Sequence, residues 1–342
     1  MVQSGGMSFS VAGFVRTTLP GLALAVAIAA VATVIGHLVP VIGAAVPAIV
    51  IGVVIALVRR PGAVLAPGLK FASKLVLQSA VVLLGTQLSL AEVASVGVQS
   101  FPVMISTLLV CLVAAWFLGR ALRIDAELTT LIGVGTAICG ASAIAAVSPV
   151  IRARNESIAY AVSTIFLFNV LAVLLFPPLG HALGFSQHEF GLFAGTAVND
   201  TSSVVATAGI YGAAALSFAV VVKLVRTLMI IPISIGLALR TARRDGSGGP
   251  LTLRGVVGLV PWFLIGFLVA SLIRSLGWIP DAALAPISVV SMFFIATAMA
   301  AIGLSTDLAG FRRAGVRPLL LGGILWLVVT ATAITAILLT RA

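Results

Sequence analysis

The sequence predicts an all-α membrane protein, and three observations support this prediction. Hydrophobic residues make up 61% of the chain and charged residues only 8%, against about 25% charged residues in soluble domains. Apolar runs of about 20 residues recur along the chain, as transmembrane helices require. The basic residues stand in short segments between these runs, where they set the topology of membrane proteins. The net charge of +11 therefore does not indicate nucleic-acid binding, because no basic face on a polar domain accompanies it.

Nine apolar runs are long enough to cross a bilayer, which takes about 20 residues. They cover residues 19–38, 41–58, 71–91, 101–118, 157–179, 214–239, 255–273, 283–304 and 318–339. The first run follows Arg16 and is longer than the apolar region of a signal peptide. We therefore expect residues 1–342 to form a single polytopic domain with about nine full spans.

Two further stretches, 128–150 and 190–210, are apolar but interrupted by glycine and polar residues. They contain related runs, GTAICGASAIAA from Gly135 and GTAVNDTSSVVA from Gly195, which share five of twelve residues. Each stretch either crosses the membrane, which would give eleven spans, or dips in and returns as a re-entrant hairpin. The sequence thus predicts two broken elements that carry the same motif.

The distribution of positive charge favours the re-entrant alternative. Basic residues flank several spans, and a basic loop covers 240–254. Placing these segments in the cytoplasm puts the N-terminus inside and the C-terminus outside. Arg152 and Arg154 then remain cytoplasmic only if the stretch before them returns to the side it came from. Two such hairpins would approach the membrane centre from opposite faces, as in inverted-repeat secondary transporters that bind substrate at the midplane.

The two motifs are rich in groups that could form a binding site at membrane depth. The free N–H groups at the start of a half-helix can bind an anion, although small residues also serve helix packing. We predict a site formed by residues of the two motifs and by two basic residues of the following span. Its members are Gly135, Thr136, Cys139, Gly140, Ser142, Gly195, Thr196, Asn199, Asp200, Thr201, Ser202, Lys223 and Arg226.

Three of these residues carry charge inside apolar surroundings. A carboxylate such as that of Asp200 costs about 2.5–3.5 kcal/mol at the centre of a membrane helix, so it normally has a partner or a function. Lys223 and Arg226 are three residues apart and share a helix face. Lys223 lies about ten residues, or roughly 15 Å, into its span, which is half of a ~30 Å bilayer core. The shared depth therefore predicts an ion pair between Asp200 and Lys223, which leaves the positive charge of Arg226 in surplus. The alternative to a functional site is that these three residues form an ion cluster with a purely structural role.

Several blocks resemble the family of proposed sulphate exporters, which are bacterial inner-membrane proteins. The blocks are GTAICGASAIAAVSPVI from Gly135, GTAVNDTSSVVATAG from Gly195, VKLVRTLMIIP from Val222, PWFLIGF from Pro261 and GLSTDLAGFRRAGVRPLLLG from Gly303. The resemblance covers most of the chain. It implies a multi-pass transporter of the plasma membrane, related in fold to cation–proton antiporters and bile-acid-type symporters.

The second motif departs from the pattern of that family. Family members often carry histidine, then an acid, with a glutamine further on, whereas this chain has Asn199, Asp200 and Ser203. The missing histidine weakens any mechanism that passes a proton through an imidazole. The Asn-Asp pair also resembles that of electroneutral sodium–proton antiporters, which keeps a cation antiporter open.

The predicted function is secondary transport of a small anion, of the sulphate or sulphonate class, across the bacterial inner membrane by export or exchange. The expected partners are this substrate, the lipid bilayer and, in an oligomer, further copies of the chain; no nucleic acid, metal or cofactor is expected beyond a coupling H⁺ or Na⁺. The alternative is a sodium- or proton-coupled cation antiporter using Asn199 and Asp200, against which the surplus positive charge counts. An intramembrane enzyme would need Cys139 as its nucleophile, and we expect no enzymatic activity.

Overall fold

The computed structural model of the protein describes residues 11–38, 44–59, 61–245, 261–305 and 316–340, and these ranges contain helices and no strand. Seven of the helices are long and apolar enough to cross a membrane. The predicted all-α class is therefore confirmed for the described part of the chain.

The helices are numbered in chain order. They are α1 Val11–Leu38, α2 Ala45–Val58, α3 Ala66–Gln87 with a π-helical turn at Ala72–Val76, α4 Leu90–Ala121, α5 Ala126–Ala137, α6 Ala141–Val150, α7 Asn155–Ala182, α8 Gln187–Ala197, α9 Thr201–Tyr211, α10 Ala213–Leu228, α11 Ile230–Asp245, α12 Trp262–Ser275, α13 Asp281–Leu304 and α14 Val316–Thr340.

Seven of the nine predicted spans coincide with helical segments of 22 to 32 residues, and one of these segments, Ala213–Thr241, consists of α10 and most of α11. The other two, 41–58 and 255–273, correspond to α2 and α12, which have 14 residues each. The predicted basic loop 240–254 begins inside a helix, since α11 continues to Asp245. Residues 246–254 of that loop and 255–260 of the span lie outside the described residues.

The chain forms two compact units, Met1–Ala80 with Ser288–Thr306, and Val81–Ile287 with Asp307–Ala342. Glycines allow close helix crossings in the smaller unit. A Cβ added to Gly21 of α1 would lie 2.1 Å from the carbonyl oxygen of Leu65, and one added to Gly52 of α2 would lie 2.6 Å from that of Ala300. The larger unit contains every residue of the predicted site.

The first interrupted stretch folds as a helical hairpin. Helix α5 ends at Ala137, three residues break the helix, and α6 begins at Ala141. The two ends of the stretch meet, because the Arg154 guanidinium lies 2.6 Å from the Asp125 carboxylate and the Arg154 N–H donates to Glu127 over 2.8 Å. A continuous helix of that length would hold its ends about 37 Å apart.

The second interrupted stretch repeats this shape. Helix α8 ends at Ala197, the break covers the next three residues, and α9 begins at Thr201. Its ends also meet, since the Gln187 side chain donates to the Tyr211 carbonyl over 2.9 Å and accepts from the Ala215 N–H over 3.1 Å. Aligned on their shared Gly-Thr-Ala, the two motifs break at equivalent residues.

The two hairpins point towards each other. Helix α7 runs from the open end of the first hairpin, beside Arg154, to the open end of the second, before Gln187. Its 28 residues span about 42 Å. The half-helices contain 10 to 12 residues, or about 15–18 Å each, so the two tips meet near the middle of α7.

Candidate functional site

The tips of the two hairpins are in contact. A Cβ built on Gly140, the last residue of the first break, would lie 3.2 Å from the Asp200 Cβ, which belongs to the last residue of the second break. Gly140 has φ +66°, a backbone conformation that glycine adopts without strain. The equivalent positions of the repeated motif therefore lie side by side.

Lys223 of α10 joins the two breaks. Its side chain is fully buried, and its ammonium donates to the carbonyl oxygens of Ile138 over 2.8 Å and Val198 over 2.9 Å. These two carbonyls occupy equivalent positions in the motifs GTAIC and GTAVN. One side chain thus satisfies the same backbone group of both hairpins.

Arg226, one helical turn further along α10, repeats this arrangement. Its fully buried guanidinium donates to the carbonyls of Ala137 over 2.8 Å and Thr136 over 3.2 Å, and to that of Thr196 in the second hairpin. All five carbonyls bound by the two cations lie at or just past the C-termini of α5 and α8. The last carbonyls of a helix lack partners within it and carry about half a negative charge, so two cations stabilise both ends.

The predicted ion pair between Asp200 and Lys223 is wrong. The carboxylate of Asp200 instead caps α9, because it accepts from the Ser203 N–H over 2.9 Å and from the Ser203 hydroxyl over 2.7 Å. Each break releases backbone carbonyls, and these compete with Asp200 for the buried ammonium. Those carbonyls take up the ammonium of Lys223.

The N-termini of α6 and α9 differ in one important respect. Asp200 supplies a carboxylate to the first turn of α9, whereas the equivalent Gly140 supplies no side chain to α6. Ala141 and Ser142, which begin α6, are exposed, and their N–H groups make no hydrogen bond within the described part of the chain. The start of α6 therefore presents two free N–H donors and the positive end of a helix dipole.

Polar side-chain atoms without a partner also occur in the two broken motifs. Both amide atoms of Asn199, a residue 1% exposed, have no hydrogen-bond partner among the described residues, and neither has the hydroxyl of Thr136. Buried polar atoms in native proteins are nearly always satisfied, and an exception requires a water, an ion or a ligand. The tip region thus holds unused donors and acceptors in addition to the free N–H groups.

The other predicted site residues have varied surroundings. Gly135 is packed against Ile144 and Gly195 against Val222, while the Thr196 hydroxyl bonds within its own helix to Leu192. These residues allow close packing and present no free group. Cys139 is buried, whereas Thr201 and Ser202 are partly exposed at the start of α9 and Ser142 is exposed at the start of α6.

Asn169 of α7 was missed by sequence reasoning. It is 2% exposed, and its side-chain oxygen accepts from the Asn199 N–H over 3.1 Å. Asn169 therefore fixes the second break against the helix that connects the hairpins. The signal was available, since Asn169 is a lone amide in the middle of the apolar run 157–179.

The chain is similar to several bacterial proteins. A family model described as conserved hypothetical protein 698 matches residues 20–322. Proteins named UPF0324 membrane protein are 45% identical over 324 residues in Streptococcus pyogenes serotype M3 (92% of this chain, 95% of the relative) and 42% identical over 328 residues in Streptococcus agalactiae serotype V (94% and 97%). One from Fusobacterium nucleatum is 42% identical over 336 residues (92% and 96%). With its apolar helices, the chain fits a multi-pass membrane protein, as predicted.

Proposed function

The chain belongs to the conserved hypothetical protein 698 family of UPF0324 membrane proteins, and we propose that it is a secondary transporter of a small oxyanion across the bacterial inner membrane. One observation carries the proposal: two opposed half-helix hairpins meet at tips that contact two buried basic side chains, Lys223 and Arg226, and the N-cap residue of α6 supplies no capping side chain. The substrate class we propose is sulphate or a sulphonate, moved by export or exchange. No enzymatic step and no cofactor is part of this proposal.

The electrostatics of the tips favour an anion. Lys223 and Arg226 contribute two positive charges. The C-terminal ends of α5 and α8 carry about half a negative charge each and together offset about one of them. The N-terminal ends of α6 and α9 add about half a positive charge each, and Asp200 removes one. The balance is about one positive charge, and the two basic side chains that contribute to it are fully buried, where salt screens them little.

The start of α6 is the proposed anion site. The N–H groups of Ala141 and Ser142 and the Ser142 hydroxyl are donors in an exposed position, and the Asn199 amide in the second break is an unused donor. A tetrahedral oxyanion takes such donors on several oxygens at once. Asp200 occupies the equivalent place at α9, and we propose that it binds the coupling H⁺ or Na⁺.

A cation antiporter remains the second candidate because of one feature. The side-chain oxygen of Asn199 lacks a partner among the described residues and adjoins the carboxylate of Asp200 in the chain. Two such oxygens would suit Na⁺. The positively charged side chains of Lys223 and Arg226 count against this alternative, because they would repel a bound Na⁺.

The proposed membrane arrangement has nine crossing helices and two re-entrant hairpins that form an inverted repeat. The first hairpin opens to the cytoplasm and the second to the outside, and the N-terminus is cytoplasmic. This arrangement follows from the positive charge around the first open end and from α7, whose ~42 Å length suffices to cross a bilayer between the two open ends.

Cysteine labelling tests this arrangement. In a background without native cysteines, we expect A126C and E156C, at the two ends of the first hairpin, to react with an impermeant maleimide only from the cytoplasm. A182C and A213C, at the ends of the second hairpin, should react only from outside; all four positions are exposed. Labelling of A126C and E156C from opposite sides would show that the stretch crosses the membrane.

Flux measurements in proteoliposomes test the function itself. We expect vesicles loaded with sulphate to take up radiolabelled sulphate by exchange. Methanesulphonate should inhibit this uptake, whereas potassium or sodium salts of a bulky organic anion should not. Sodium-driven proton movement by the same vesicles, with no sulphate exchange, would move the cation antiporter to first place.

A further inference from the structure

A cavity of about 470 Å³ lies away from the hairpin tips, between the C-terminal half of α4, the helix α5 and the helix α11. Small-molecule sites in proteins typically have volumes of about 300–1,000 Å³. Its lining includes Trp116, Arg120, Thr129, Gly133, Gly236 and Arg240. Nothing in the proposed transport site involves these side chains.

The charged lining of the cavity is entirely basic. Arg120 and Arg240 come from α4 and α11, and no acidic side chain is among the lining residues. Arg120 is held in place, because its guanidinium stacks 3.9 Å above the Trp116 ring and donates to the Trp116 carbonyl over 3.4 Å. The two arginines therefore face the same cavity from different helices.

Two acids that neighbour the lining residues in the chain are already paired with another arginine. Asp125 and Glu127, at the start of α5, are both engaged by Arg154, at 2.6 Å and 3.6 Å. The Thr129 hydroxyl, which lines the cavity, is buried and has no partner in the described part of the chain. A ligand that brings acceptor oxygens would satisfy it.

The remaining lining is apolar, and so is the surface beside the cavity. Leu112, Ala115, Ile233 and Leu237 line it, and the adjoining face of α4 exposes Val113, Trp116 and Phe117. Exposed tryptophan next to arginine is typical of the membrane–water interface. Apolar walls would add nothing to the binding of a free inorganic anion, but they suit an acyl chain.

We propose that this cavity binds an anionic phospholipid, with the phosphate between Arg120 and Arg240 and an acyl chain along the apolar walls. Basic pockets between transmembrane helices on the cytoplasmic side bind anionic headgroups in this way. The site shares no residue with the hairpin tips, and only its place on the cytoplasmic side rests on the membrane arrangement proposed above.

Native mass spectrometry of the purified protein tests the proposal. Wild-type protein in detergent is titrated with phosphatidylglycerol and with phosphatidylcholine of the same acyl chains. We expect phosphatidylglycerol to bind at least about tenfold more tightly. The double variant R120A/R240A should bind phosphatidylglycerol about thirtyfold more weakly than wild type, because each of the two basic side chains contributes a factor of about ten or less to the affinity. The matched control K70A/K74A removes two exposed basic residues elsewhere and should bind as wild type does.

A second variant tests the apolar part without touching the arginines. A Cβ on Gly236 would meet no atom within 4 Å, so G236L fills the cavity and leaves the helix intact. We expect G236L to weaken phosphatidylglycerol binding at least about tenfold at an unchanged unfolding temperature. Equal lipid affinity in wild type and R120A/R240A, or in wild type and G236L, would overturn the proposal. Displacement of the lipid by millimolar inorganic phosphate would overturn it as well, because the ligand would then be free phosphate.

Discussion

Replacing Arg226 by alanine is expected to lower the free energy of unfolding so far that most of the protein is no longer folded. The carbonyls of Thr136, Ala137 and Thr196 would lose their buried donor. Each buried acceptor left without a partner costs about 1–3 kcal/mol, so the loss is about 3–9 kcal/mol. That is comparable with the whole stability of a typical domain, about 5–15 kcal/mol. Thermal unfolding followed by size-exclusion chromatography in detergent measures the effect.

Graded variants separate this explanation from a general effect of substitution. R226K keeps a buried charge with three donors and should be affected less than R226A. K223A removes the donor of two carbonyls and should also be affected less. The control R274A breaks an ion pair with the exposed Asp281, which is worth at most about 1 kcal/mol. If R226A unfolded at the same temperature as R274A, the cations would not hold the hairpins together.

Hydropathy predicted most of the helices because the bilayer sets their minimum length. It did less well at helix ends. Helix α4 begins at Leu90 and not near the predicted 101, because Ser89 and Glu92 form a capping box that starts the helix early. The same motif, Ser186 with Glu189, starts α8. Both follow the S-x-x-E pattern, so local sequence could have corrected the boundaries.

The broken elements could be located from sequence because their residues are unusual for a membrane helix. The repeated Gly-Thr-Ala motif marked both breaks to within a few residues. Which side chains meet at the breaks could not be predicted in the same way. Spacing placed Lys223 and Arg226 on one helix face, but only the folded backbone reveals five carbonyls within their reach.

Placing an aspartate at Ala141 is the second change with a large expected effect. The new carboxylate would place a negative charge beside the free N–H groups at the start of α6, one residue further into the helix than the position that Asp200 occupies at α9. An acid in the first turn stabilises a helix, so folding should be unaffected. A bound oxyanion about 4 Å away would be repelled by about 4 kcal/mol at an effective dielectric constant of 20. The substrate affinity should therefore fall by a factor on the order of a thousand.

The half-saturation concentration of sulphate exchange in A141D and A141N tests the central claim most directly. Asparagine matches aspartate in size and lacks its charge, so the pair isolates the electrostatic effect at an exposed position. We predict near-wild-type half-saturation for A141N and at least about a hundredfold increase for A141D, with equal unfolding temperatures. Equal half-saturation in the two variants would contradict an anion site at the start of α6, and sodium exchange stimulated by A141D would indicate a cation transporter.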